Sequence, residues 1–148
     1  AGFPSSEKKA IREFLPWTRI VNQAKTTYRD QTIDLPEFIY QNREKLVLKP
    51  NDDSGDEHAF RGWETDDAGW DRALKTALRR PYVVQERVAP VTEQFPLYQW
   101  GSLEFREVQV DVHPHAFLGK VEGCSSWIQA STSGFSTING MAPTFILG

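Results

Sequence analysis

Apolar residues recur at helical spacing in three stretches and gather into short runs or alternation elsewhere, mostly later, which predicts helices first and strands afterwards. Beyond Ser5 or Ser6 as N-cap, Glu7 to Leu15 places Ala10, Ile11 and Phe14 on one helical face before Pro16. Residues through Tyr28 read as irregular. Asp34-Leu35-Pro36-Glu37 then has an N-cap, a first-turn proline and the acid of a capping box, opening a second helix to about Lys45. Lys45 to Lys49 is a short apolar run suited to a strand buried on both faces, and Asn51 to Glu57 is a polar loop. Thr65, Asp66 and Asp67 cap a helix reaching Arg80, in which Trp70, Ala73, Leu74, Ala77 and Leu78 form the apolar stripe. Pro81 ends it, and Tyr82 to Glu86 is a strand rich in β-branched and aromatic residues.

Further on, Leu103 and Phe105, then Val108, Val110 and Val112, alternate with polar residues, with one change of phase that a β-bulge would absorb. Strands are predicted at Ala116–Glu122, Cys124–Ala130 and Thr144–Leu147, with Ser131–Gly140 as a small-residue loop. Short links favour antiparallel pairing, so the fold class is α+β, an antiparallel sheet with helices packed on one side. Length and composition, 148 residues of which 39% are hydrophobic and 25% charged, predict one domain spanning residues 1–148.

Charge then narrows the function classes. Seventeen Lys plus Arg against twenty Asp plus Glu give a net charge of −3, so no chain-wide positive field draws nucleic acid or an acidic membrane. Cys124 is the single cysteine and has no partner for an internal disulfide, which suits a reducing, cytoplasmic setting. Its reading is a small buried hydrophobe, and the five tryptophans read mostly as packing residues. His113-Pro114-His115 beside Asp111 reads as a turn rather than a metal site, because Pro114 parts the side chains and no third ligand is spaced to join them. No apolar stretch approaches the roughly 20 residues of a membrane span.

Two segments could carry chemistry. Lys49 closes a strand beside a turn with free backbone N–H groups, which suits a triphosphate; the plain alternative is a surface lysine. The strand from Tyr82 leads into Gln85-Glu86-Arg87-Val88, where a backbone carbonyl and N–H could meet an adenine edge; the alternative is an ordinary edge strand. The run LVLKPNDDSGDEHAFRGWE, a helix, PYVVQERV, the upstream LPWTR and KTTYR and the later GKVEGCSSWI together resemble the C-terminal part of the circularly permuted ATP-grasp family, relatives of glutathionylspermidine synthase. The resemblance runs roughly from Ile11 to the end.

It implies an ATP-grasp-like sheet and a protein that uses ATP to activate a carboxylate for attack by an amine or thiol. Lys49 would contact phosphates, and the 51 to 57 loop, with Asn51, Ser54 and Gly55, would cover them. Gln85 and Val88 would hydrogen-bond adenine through their backbones, and Glu86 or Glu93 the ribose. The sequence departs from the family pattern in two places: Asp56, Glu57 and His58 stand where it is more glycine-rich with a second basic residue, and Trp127 stands where it tends to have arginine. The magnesium-binding acids and asparagine of relatives precede the lysine strand, so the chain reads as the C-terminal fragment of a longer protein. Its magnesium ligands are then expected outside this sequence, and it should be inactive alone. The alternative function is a degenerate, non-catalytic domain that binds a protein or small ligand.

Overall fold

The computed structural model describes residues 2–51, 58–130 and 138–144, without the side chains of 99, 130, 138 and 139. It is a mixed α+β chain with antiparallel sheets and, among the described residues, three α-helices, in two compact units, Ala1–Val88 and Ala89–Gly148. No described helix is long and apolar enough to cross a membrane.

The first unit opens with α1 (Ser5–Phe14), which buries none of its residues, so the face bearing Ile11 and Phe14 is exposed. The segment expected to be irregular holds β1 (Thr18–Ile20) and β2 (Lys25–Tyr28), the latter paired with β3 (Gln31–Asp34). Its hairpin turn puts both Arg29 and Asp30 at positive φ, the geometry of a type I′ turn without its usual Asn-Gly. Asp34 caps α2 (Leu35–Gln41) by accepting from the Glu37 N–H at 3.2 Å. The helix stops short of Lys45, because the Asn42 side chain donates to the Phe38 carbonyl at 2.9 Å and Arg43–Lys45 tightens into a 3-10 turn.

β4 (Leu46–Pro50) pairs with the two-residue β5 (Phe60–Arg61). A second 3-10 turn at Gly62–Glu64 leads to α3 (Asp67–Ala77), capped by Asp66 accepting from the Gly69 N–H at 2.7 Å. β6 (Tyr82–Glu86) then enters between β1 and β4, giving the order β1-β6-β4-β5. Side chains alternate across a strand, and this alternation divides the sheet into two faces. Leu46, Leu48, Tyr82 and Val84 join the core with Leu35 and Ile39 of α2 and Trp70, Ala73, Leu74 and Ala77 of α3. Val47, Lys49, Val83 and Gln85 have the opposite phase, as does Thr18 in register with Gln85, and form the sheet's other face.

The second unit is a meander of β7 (Thr92–Gln99), β8 (Ser102–Phe117), β9 (Lys120–Ala130) and β10 (Ile138–Ala142). A small core of Val108 and Ile128 is joined by Phe95, Leu97, Val110 and Ala142. Several expectations are corrected here. The predicted bulge between Phe105 and Val108 is absent: β7 and β8 stay in register, and the phase change arises because Leu103 and Phe105 lie on the exposed face opposite to Val108. The register shift falls instead between His115 and Ala116. His113-Pro114-His115 is a stretch of β8 and not a turn, with Pro114 opposite Cys124. The segment 116–122 is not one strand but the tip of the β8–β9 hairpin, turned by Leu118 and Gly119 at positive φ. Residues 138–140, expected as loop, belong to β10 paired with β9. The rest of that expected loop, 131–137, and most of the strand expected over 144–147 lie outside the described residues.

Candidate functional site

On the open face of the first sheet, β4 and β6 bring Lys49 beside Gln85. The Lys49 Nζ donates to Gln85 Oε1 at 3.1 Å, Gln85 Nε2 donates to Thr18 Oγ1 at 3.0 Å, and that hydroxyl donates to the Pro16 carbonyl at 2.9 Å. The ammonium is held in place by a neutral amide, and among the described residues it has no carboxylate partner.

The adjoining cavity, about 270 Å³, is lined by Val47, Lys49, Ala59, Arg61, Trp63, Gln85, Glu86, Arg87 and Val88. The Arg87 guanidinium lies 4.4 Å from the Trp63 ring centroid, a cation–π contact that gives the wall a flat aromatic and cationic surface. Trp63 Nε1 donates to Glu64 Oε1 at 3.1 Å, and Arg61 meets the other oxygen of that carboxylate at 3.5 Å. Three cationic side chains thus border one groove in a chain whose net charge is −3.

Of the residues singled out from the sequence, Lys49, Gln85, Glu86 and Val88 come together at this groove. Gln85 sits in an interior strand, opposite Val47 on one side and Thr18 on the other, so its peptide groups are turned to the neighbouring strands and its side chain is what it presents. The Arg87 N–H is likewise taken up by the Lys45 carbonyl at 2.8 Å, which leaves Val88 as the first residue beyond the ladder. Glu86 borders the groove, but its Oε1 accepts from the Tyr28 hydroxyl at 2.8 Å and from Arg29 at 3.1 Å. Asn51 is exposed just past β4, its N–H donated to the Pro81 carbonyl at 2.8 Å. Ser54 and Gly55 fall outside the described residues, and Glu93 lies in the second unit on β7, opposite Val108.

Compared with known proteins, this chain matches no family model, no curated protein and no solved structure. The groove is therefore read from its own chemistry. Thr18, Arg61, Trp63 and Arg87 were not singled out from the sequence. Arg87 adjoins Glu86, but only the fold brings it over Trp63. Among the described residues no three His, Cys, Asp or Glu side chains converge on a common metal position. The groove's cationic side chains are donors and do not suit a metal ion.

Tyr28 buttresses the groove from the other side of β6. It packs between Trp17 and Phe38, with ring centroids at 5.3 and 4.6 Å. Burial, and then its hydrogen bond to the Glu86 carboxylate, raise its pKa above the ordinary tyrosine value. A proton held more tightly in the fold than in the unfolded chain stabilises the fold below the unfolded pKa, near 10, and that contribution is lost as pH rises through the folded value. Urea midpoints measured across this alkaline window should therefore fall more steeply for the native chain than for Tyr28→Phe. Parallel curves would contradict the assignment.

Proposed function

We propose that the first unit is the nucleotide-binding part of an ATP-grasp-like carboxylate–amine or carboxylate–thiol ligase, and that the β4–β6 groove takes ATP. The observation that supports it most is the Lys49–Gln85–Thr18 chain of hydrogen bonds, which presents an ammonium without a carboxylate partner among the described residues at a groove bordered by two arginines. In this reading Lys49, Arg61 and Arg87 offset phosphate charge, and Val88, beyond the end of the ladder, hydrogen-bonds the adenine edge. Trp63 supplies a flat apolar wall. Magnesium, when bound, would offset the charge of the phosphates; the resemblance assigns its ligands to a segment outside this sequence.

A second reading, a non-catalytic binding domain, is favoured by Asp56 and Glu57 in the segment after β4, since acids there oppose a triphosphate. A thermal-shift series separates the two. Ligand at about 100 times its Kd adds about 2.7 kcal/mol, so saturating ATP should raise the melting temperature of the helix signal by several degrees. No response to ATP, ADP or AMP with magnesium present would select the second reading.

A further inference from the structure

Trp127 does not pack in the core. It stands on the face of the second unit's sheet opposite to the Val108–Ile128 core and is 44% exposed. Register places Asp111 directly across from it on β8 and Met141 directly across on β10. The period of two along each strand adds Gln129 and Ser125 from β9 and Gln109 and His113 from β8 to the same face. A cavity of about 340 Å³ is lined by Asp111, His113, Trp127, Ile128 and Gln129, within the range of small-ligand sites. The Asp111 carboxylate accepts only from the Gln109 amide, at 3.2 and 3.3 Å, and has no cation partner among the described residues.

We infer that this face binds a small organic cation, an alkylammonium or a guanidinium, against the Trp127 indole with Asp111 as its counter-charge. The indole face is electron-rich and attracts cations more strongly than any other side-chain ring, and a carboxylate alongside adds the opposite charge. An anionic ligand would meet Asp111 with the wrong sign. A neutral ring could stack on the indole but would leave the carboxylate uncompensated. The flanking amides and imidazole supply acceptors for the N–H groups of a protonated amine or guanidinium. The inference stands on the second unit alone and is independent of the nucleotide reading of the first.

The test is a nuclear magnetic resonance titration of the full chain with tetramethylammonium chloride at constant ionic strength, followed through the Trp127 indole N–H, assigned by its loss in Trp127→Phe. A saturable shift is expected, with butylammonium and methylguanidinium competing for the same site and neutral tert-butanol without effect. Asp111→Asn keeps the side chain's size on an exposed strand position and should weaken binding about two- to fivefold, the usual scale of an exposed charge contact. In Trp127→Leu, the shifts of the His113 resonances should vanish. The inference is overturned if tetramethylammonium produces no saturable shift, if tert-butanol shifts the same resonances equally, or if Asp111→Asn binds with unchanged affinity while keeping native spectral dispersion.

Discussion

Gly62→Ala lowers the stability of the first unit by more than about 3 kcal/mol, because the added methyl has nowhere to go. A Cβ at this position would stand 1.8 Å from the Arg43 carbonyl oxygen, 2.6 Å from its carbon and 2.9 Å from the Leu46 oxygen, all of them backbone atoms. Relief requires the turn at Gly62–Glu64 to part from the turn at Arg43–Lys45. The two are tied by Arg43, whose Nη1 donates to the Gly62 and Thr65 carbonyls at 2.8 and 2.6 Å and whose Nε donates to Asp67 at 2.7 Å. Parting them would also move Arg61 and Trp63, which flank Gly62 and line the groove. All three described helices belong to the first unit, so the far-ultraviolet helix signal reports its unfolding. The urea midpoint of that signal should collapse in the variant; an unchanged midpoint would mean that the two turns are not packed as described.

Trp70→Ala costs about 3–5 kcal/mol, the range for emptying a buried aromatic site. Trp70 is fully buried on the inner face of α3, and its Nε1 donates to the Ile39 carbonyl of α2 at 3.0 Å. Alanine there leaves a cavity between α2, α3 and the sheet and strips a buried carbonyl of its partner. Trp70→Phe refills most of the volume and loses mainly the hydrogen bond, so it should fall between the native chain and the alanine variant. Urea unfolding of the three chains checks the order, and equal losses for Phe and Ala would contradict it. Against a typical domain stability of about 5–15 kcal/mol, either substitution in this unit removes a large share.

How much could be read from the chain depended on where its apolar residues are buried. β4 and α3 were legible because Leu46, Leu48, Trp70, Ala73, Leu74 and Ala77 are core residues, and their spacing mirrors the face they bury. β1, β2 and β3 were not, since these strands are largely half-exposed, with threonines in place of an apolar alternation, and their hairpin turns on Arg29 and Asp30. The β8–β9 tip misled for a related reason. Leu118 occupies a positive-φ position usually given to Asn, Asp or Gly, so an apolar run hid a turn. At the groove, the Lys49–Gln85 pair was reachable from two strands and a resemblance. Arg61, Trp63 and Arg87 were not, because their convergence depends on a two-residue strand and on the turn that Gly62 and Arg43 lock in place.

Lys49 is the residue on which the nucleotide reading turns, and titration calorimetry of ATP into the native chain and into Lys49→Ala addresses it directly. A charge-assisted hydrogen bond is worth about 1.5–3 kcal/mol, so the variant should bind about ten- to a hundredfold more weakly while its unfolding midpoint stays close to native. ATP bound with the same affinity by both chains would remove Lys49 from the site and contradict the assignment of the β4–β6 groove.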